Sequence, residues 1–173
     1  MRDDIYIQCQ GLIKSACRDL KNIQILTNRN PLDRTNQYIL KYAAIFSCGV
    51  VEQIVKKIIV DNLSKNSNRF AKYFFSEWLF DHGLNPKYSE IVKHLGRMDV
   101  DVKNDIKKIF QRSEMKKFEN SLNSLVELRN KISHGADITV GIKDIREYFY
   151  ASIIIIVHIL KVVQLHNNEN DTL

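Results

Sequence analysis

The stretch that decides the fold is "YFYASIIIIVHIL", residues 148–160, the most apolar run in the chain. Its β-branched residues would suit a strand, yet the apolar positions around it recur every three or four residues, as in a helix. These positions are Ile142, Ile145, Phe149, Ile153, Ile156, Leu160 and Val163. A β-branched residue costs only roughly a few tenths of a kcal/mol in a helix, which burial offsets. The pattern therefore predicts a buried helix.

This run also bears on the class of protein. Its 13 residues are fewer than the roughly 20 that a membrane-spanning helix requires, and the charged N-terminus "MRDDIYIQCQ" is unlike a signal peptide. Three cysteines, Cys9, Cys17 and Cys48, lack the paired spacing of metal ligands and are predicted to be reduced. We therefore expect a soluble, cytoplasmic protein that needs no membrane, metal or cofactor.

The rest of the chain shows the same helical spacing. Only two prolines and six glycines interrupt its 173 residues, so long helices are favoured. The predicted helices cover about residues 3–26, 34–64, 70–83, 84–96, 99–112, 113–133 and 142–166. We expect the second helix to bury one stripe, formed by Ile39, Tyr42, Ala43, Phe46, Val50, Ile54 and Ile58. The predicted fold is an all-α bundle with three long helices, in one domain over residues 1–167 with a disordered polar tail at 168–173.

One motif carries a functional signal: "LRNKISHGAD", residues 128–137. Arg129 and His134 are five residues apart, which would separate them by about 140° on an ideal helix. If the helix stops at Ser133 and Gly135 turns the chain, His134 can swing back toward the Arg129 side, beside a cleft bounded by the last helix. The alternative is that the cations Lys131 and His134 only oppose the dipole at a helix C-terminus.

The string "ELRNKISHGA" resembles the signature of the HEPN superfamily, an arginine and a histidine separated by four residues at the end of a long helix. The residues around "SHGA" and the upstream helix "YAAIFSCGVVEQIVKKII" are most similar to those of the prokaryotic subgroup called RiboL-PSP-HEPN. The order and length of the predicted helices fit this family from about Ile5 to Val163. The resemblance therefore covers nearly the whole chain.

This resemblance implies a metal-independent endoribonuclease, of the toxin or phage-defence type, that cleaves RNA at the cleft of a homodimer. His134 would act as general base or acid, Arg129 would hold the scissile phosphate, and Asn130 would orient the site. Toxins of the superfamily that pair with a nucleotidyltransferase antitoxin carry a tyrosine two residues after the histidine, where this chain has Ala136. Silencing by that route is therefore not expected, although a cognate antitoxin or inhibitor protein remains a possible partner.

Other residues are predicted to support this site. Glu52 could fix the side chain of Arg129, or it could simply pair with Lys56 four residues later on the surface. Lys131 and Ser133 lie within the motif itself. A basic segment could guide the RNA backbone, or it could be an ordinary solvated face. Its cations are Lys107, Lys108, Arg112 and Lys116.

Two functions from other classes remain open at this point. A HEPN domain that has lost catalysis could act as an adaptor that binds RNA, a nucleotide or a protein partner. Alternatively, the cations at the helix end could grip the phosphate of a nucleotide in a binding module. The net charge of +6 is compatible with a polyanionic partner in each case. The intact pair of Arg129 and His134 favours the enzyme.

Overall fold

The computed structural model describes residues 2–29, 33–66, 73, 77 and 83–170. These residues contain six helices and no strand, which confirms the predicted all-α bundle. The helices are α1 Arg2–Arg29, α2 Thr35–Asn66, α3 Tyr88–Met98, α4 Val100–Phe110, α5 Ser113–Ser133 and α6 Ile142–Asn170. Nearly all of the short helix predicted at 70–83 lies outside the described residues. Four of the six helices exceed 20 residues, so α5 joins the three long helices that we predicted.

The apolar stretch 148–160 forms the centre of α6, as predicted, and α6 packs against α1, α2, α4 and α5. Every position of its predicted stripe is buried except Ile153, which is half-buried. The helix is apolar over a longer range than the 13 residues suggested, because Ile142–His166 is long and apolar enough to cross a membrane by length and composition alone. The core helix of a soluble protein passes the same test, and the four neighbouring helices account for the apolarity of α6.

Helix α2 lies at the centre of the bundle, against α1, α3, α5 and α6. Its buried surface therefore extends around much of the helix and includes Cys48, Val51 and Val55. The single stripe that we predicted for α2 was too narrow, and it was wrong for Tyr42, which is exposed. One face of α2 is thus left without a helix to cover it among the described residues.

The junction between α3 and α4 differs from the prediction. Gly96 was expected to end α3, but it lies inside the helix, and the helix ends at Met98. A Cβ added at Gly96 would come within 2.3 Å of the Lys103 side chain, so glycine there permits α4 to approach closely. Asp99 then begins α4, because its carboxylate accepts hydrogen bonds from the backbone N–H groups of Asp101 and Val102.

The far end of α6 also differs from the expectation. The helix continues to Asn170, so residues 168–170 are helical where a disordered tail was predicted. Residues 171–173 lie outside the described residues. Near the last turns, the His166 imidazole contacts the Asp105 carboxylate of α4 at 3.0 Å. This contact ties the end of α6 to the bundle.

Candidate active site

The end of α5 forms a tight turn around the motif. Gly135 has a φ of +81°, in the left-handed region that favours glycine. The N–H of Gly135 donates to the carbonyl of Ile132, and the N–H of Ala136 donates to the carbonyl of Lys131. This pair of hydrogen bonds is the Schellman motif that commonly ends a helix. The predicted helix stop and the glycine turn are both confirmed, and His134 is the residue that caps the helix.

The turn leaves the imidazole of His134 exposed to solvent. Its backbone N–H still donates to the carbonyls of Asn130 and Lys131, which fixes where the side chain leaves the helix. The side chain itself is exposed, and no residue in the described part of the chain hydrogen bonds to it. His134 is therefore held in place by the backbone alone.

Arg129 lies one turn before His134 and points inward. Its side chain is 27 % exposed, and its Nη1 atom lies 4.0 Å from Oε2 of Glu52, on the central helix α2. The Nε atom of Arg129 is buried, with no hydrogen-bond partner among the described residues. The far end of the guanidinium thus lies near a carboxylate, and the partly exposed side chain leaves the group accessible to an anionic ligand.

Glu52 is the centre of this arrangement. Its Oε1 atom lies 2.8 Å from Nζ of Lys56 and accepts a hydrogen bond from the backbone N–H of Leu84 at 3.0 Å. Glu52 therefore lies near both residues that we weighed as its partner, Lys56 and Arg129, and its role in fixing Arg129 stays a prediction. The pair with Lys56 is not a surface pair, because the Lys56 side chain is only 8 % exposed. Glu52 thereby connects α5, α2 and the segment that begins at residue 83.

A buried thiol lies near Arg129, and a pocket opens beside Glu52. Burial raises the pKa of the Cys48 thiol to about 11, although the positive charge of Arg129 acts to lower it. The thiol next to the guanidinium is therefore neutral at physiological pH. A pocket of about 430 Å³ opens beside Glu52 and is lined by Gly49, Glu52, Gln53, Lys56 and Lys57. Solvent and small polar groups can thus reach the carboxylate.

The remaining motif residues differ in burial and in their contacts. Asn130 is half-buried, whereas Lys131 is exposed. The hydroxyl of Ser133 donates to the backbone carbonyl of Arg129 at 3.0 Å, so it supports the last turn of the helix. The predicted supporting role of Ser133 is consequently a contact with the backbone, not with the Arg129 side chain.

The loop after the motif is tied to the exposed face of α2. The Asp137 carboxylate accepts a hydrogen bond from Nζ of Lys41 at 2.8 Å. This hydrogen bond and the charge of Lys41 hold the pKa of Asp137 below its ordinary value. The contact joins residues 96 positions apart, and it places the turn that carries His134 close to α2.

The structure does not place the predicted RNA-guiding cations beside the motif. Lys116 is 13 residues before Arg129 on the same helix, a separation of about 20 Å along the axis. Lys108 pairs with Asp105 at 2.8 Å and Lys116 with Glu119 at 3.2 Å, which neutralises half of the predicted set. Lys107 and Arg112 are exposed. The pocket that Lys107 and Lys108 line, of about 680 Å³, also contains Asp99, Asp101 and Asp105, so its carboxylates outnumber its lysines.

Sequence reasoning missed three features of the site: the burial of Lys56, the position of Cys48 and the contact between Lys41 and Asp137. Only the burial of Lys56 had a signal in the sequence, since it lies in the apolar run "VVEQIVKKIIV". Within the residues that the structure describes, no three His, Cys, Asp or Glu side chains are grouped as a metal site would require.

Comparison with known proteins adds one finding. The model of a protein family described as RiboL-PSP-HEPN matches residues 12–163, which is most of the chain. No curated protein and no solved structure matches. The matched range includes Glu52 on α2, the whole of α5 with its motif, and most of α6.

Proposed function

The chain belongs to the RiboL-PSP-HEPN family, and from this premise we propose that it is a metal-independent endoribonuclease. The observation that carries the proposal is the arrangement at the end of α5. Arg129 is held from behind by Glu52 at 4.0 Å, and the His134 imidazole is exposed on the turn that Gly135 closes. An arginine near a largely buried carboxylate, five residues before an exposed imidazole at the same helix end, offers the cation and the proton-transfer group that attack on a phosphodiester uses.

The reaction requires a base that removes one proton and an acid that donates another. An imidazole removes the proton from a ribose 2′-hydroxyl, and the 2′-oxygen attacks the adjacent phosphorus in line. The bond to the 5′-oxygen breaks, and this oxygen receives a proton as it leaves. Arg129 offsets the negative charge that builds on the phosphate oxygens. The products are a 2′,3′-cyclic phosphate and a 5′-hydroxyl, and Asn130 would orient the phosphate.

A homodimer supplies the two proton-transfer groups that this scheme uses. One chain offers one His134, whereas two copies facing each other across a two-fold axis offer a base and an acid. The exposed face of α2 supports such pairing, because Tyr38, Tyr42 and Ile45 recur there at helical spacing. The contact of Lys41 with Asp137 joins this face to the turn that carries His134. Dimerisation through this face would therefore bring two motifs together.

We expect Ile45→Glu to convert the protein to a monomer and to abolish cleavage. A charge placed within an apolar two-fold contact is buried once from each copy without a partner, which opposes association. Light scattering at micromolar concentration measures the mass. Leu165→Glu places the same charge on another exposed apolar residue, on α6, and serves as the matched control. A wild-type protein that is monomeric and fully active would contradict the dimer.

The function itself is tested on RNA in the presence of EDTA. We expect cleavage of a labelled single-stranded RNA and none of the same sequence as DNA, since DNA lacks the attacking 2′-hydroxyl. Full 2′-O-methylation of the RNA is expected to block cleavage for the same reason. Cleavage of the DNA or of the methylated RNA would contradict attack by the 2′-oxygen. Protein that binds RNA without cutting it would instead indicate the silent adaptor.

The biological setting is proposed from the family resemblance, not from the chemistry. A ribonuclease of this type would act as a toxin or phage-defence effector in the cytoplasm, where it would need an inhibitor protein or antitoxin to restrain it. Ala136 stands two residues after His134, so restraint would not proceed through modification of a tyrosine at that position.

A further inference from the structure

A third pocket lies along α5 and α6, apart from the pocket beside Glu52. It has a volume of about 440 Å³, within the range of roughly 300–1,000 Å³ that is common for ligand sites. Apolar and aromatic groups line it, among them Phe118, Tyr150 and Ile154. Three cations, Lys117, Lys143 and Arg146, stand around these groups with one carboxylate, Glu147. The lining therefore combines an aromatic surface with an excess of positive charge.

Arg146 is the decisive residue of this pocket. Its Nη1 atom donates to the side-chain oxygen of Gln24 and its Nη2 atom to the hydroxyl of Tyr150, so both hydrogen-bond acceptors are neutral. Its Nε atom is buried and has no hydrogen-bond partner among the described residues. No carboxylate pairs with Arg146 in that part of the chain. A half-buried guanidinium without a counter-ion is stabilised by an anion that enters the pocket.

The aromatic residues specify the rest of the ligand. The Tyr150 ring is held in position, since the guanidinium of Arg146 lies 5.6 Å from its centre and also bonds to its hydroxyl. A flat aromatic group can stack on such a ring, as nucleobases do on tyrosine and phenylalanine. An anion attached to an aromatic ring system is therefore the ligand chemistry that the pocket fits. A nucleotide unit has both parts.

We infer that this pocket binds a nucleotide, with the base against Tyr150 and Phe118 and the phosphate on Arg146, Lys143 and Lys117. Lys143 lies in the first turn of α6, nine residues after His134 in the chain. This inference rests on the proposed function, because it takes an RNA strand as the natural source of the bound nucleotide. A free mononucleotide offers the same chemistry, and the experiment separates the two sources.

The test measures binding, with no cleavage step. Fully 2′-O-methylated single-stranded RNA of 12 nucleotides and AMP, each carrying a fluorophore, are titrated with the full-length protein. The pocket variant is the double substitution Lys117→Glu and Lys143→Glu, both on exposed residues. The control is Lys14→Glu with Lys161→Glu, also exposed lysines, so both proteins undergo the same change in net charge. Tyr150→Leu removes the stacking ring.

We expect the pocket variant to bind RNA at least tenfold more weakly than the control variant. For a single strand, log K falls linearly with the logarithm of the salt concentration, with a slope of about 0.7 for each phosphate contact. The loss of two contacts is therefore expected to lower the magnitude of this slope by about 1.4. Tyr150→Leu is expected to weaken binding about fivefold or more through lost stacking. Weakening of AMP as well as RNA identifies a site for any nucleotide, and weakening of RNA alone identifies a site for the strand.

Equal binding by the pocket and control variants overturns the inference, as does a wild-type protein that binds neither probe. Because the methylated RNA cannot be cut, these results do not depend on the nuclease. His134→Ala is scored only for loss of cleavage of unmethylated RNA, so it tests the catalytic proposal apart from the pocket. The binding measurements therefore test the pocket, and the cleavage measurements test the catalytic proposal, independently of each other.

Discussion

Replacement of His134 by alanine is expected to lower the rate of RNA cleavage about a thousandfold. A positioned imidazole that transfers a proton in the transition state contributes about 10²–10⁴-fold to the rate. In a homodimer one substitution removes both the base and the acid, so we expect the middle of that range and not its lower end. The His134 side chain is exposed and without a hydrogen bond in the described structure, so its loss leaves the fold intact. Single-turnover cleavage in EDTA measures the rate, and circular dichroism verifies the helices.

The control for this variant is His94→Ala, which removes another imidazole from a short helix, α3. His94 is half-buried, burial lowers its pKa, and it lies on α3, outside the motif. We expect this protein to cleave RNA at the wild-type rate. If His134→Ala cleaves within tenfold of the wild type, the imidazole is not the proton-transfer group.

Replacement of Glu52 by alanine is expected to lower the free energy of unfolding by about 3 kcal/mol. Removal of one partner from a buried ion pair typically costs about 3–5 kcal/mol, because the remaining charge stays desolvated. Glu52 is 18 % exposed, which places it at the low end of that range. The backbone N–H of Leu84 loses its acceptor at the same time. Denaturant unfolding measures the change.

Glu52→Gln separates the stability of the bundle from the positioning of Arg129. Glutamine keeps an oxygen for the N–H of Leu84 but removes the negative charge that faces the guanidinium at 4.0 Å. We expect this protein to fold and to cleave RNA about tenfold more slowly than the wild type. A tenfold effect is modest because Arg129 itself, which supplies the electrostatic stabilisation, is still present. Cleavage at the wild-type rate would show that Glu52 has no role in positioning Arg129.

Glu127→Ala provides the matched control for both Glu52 variants. Glu127 lies on α5 two residues before Arg129 and pairs with Lys87 at 3.3 Å, but its side chain is 57 % exposed. Exposed ion pairs contribute about 0–1 kcal/mol, so we expect almost no loss of stability and no loss of cleavage. If Glu52→Ala unfolds at the same denaturant concentration as Glu127→Ala, the burial of the Glu52 network has no energetic consequence.

Helices and their caps could be predicted from the sequence because they depend on nearby residues. The spacing of apolar residues located α5 and α6, and Gly135 marked the turn that the structure places after His134. Gly96 misled the prediction, since a glycine can end a helix or admit a neighbouring side chain. Only the position of Lys103 shows which of these applies. Local rules therefore give the elements and most of their ends.

The contacts between helices could not be predicted in the same way. Glu52 and Arg129 are far apart in the chain, and the distance between them depends on how α2 and α5 cross, which the pattern of either helix leaves open. Tyr42 was placed in the core because its spacing fits the stripe, yet no helix in the described structure covers that face. The pocket around Arg146 likewise combines residues of α5 and α6 that no motif connects.

The most direct test of the account is the chemistry of the RNA ends. A defined single-stranded RNA is incubated in EDTA with wild-type protein, His134→Ala and Arg129→Ala, and the products are weighed by mass spectrometry. The account predicts 2′,3′-cyclic phosphate and 5′-hydroxyl ends from the wild type, and no cut RNA from either folded variant. Ends that carry a 5′-phosphate, or equal cleavage by the variants, would contradict an active site at Arg129 and His134.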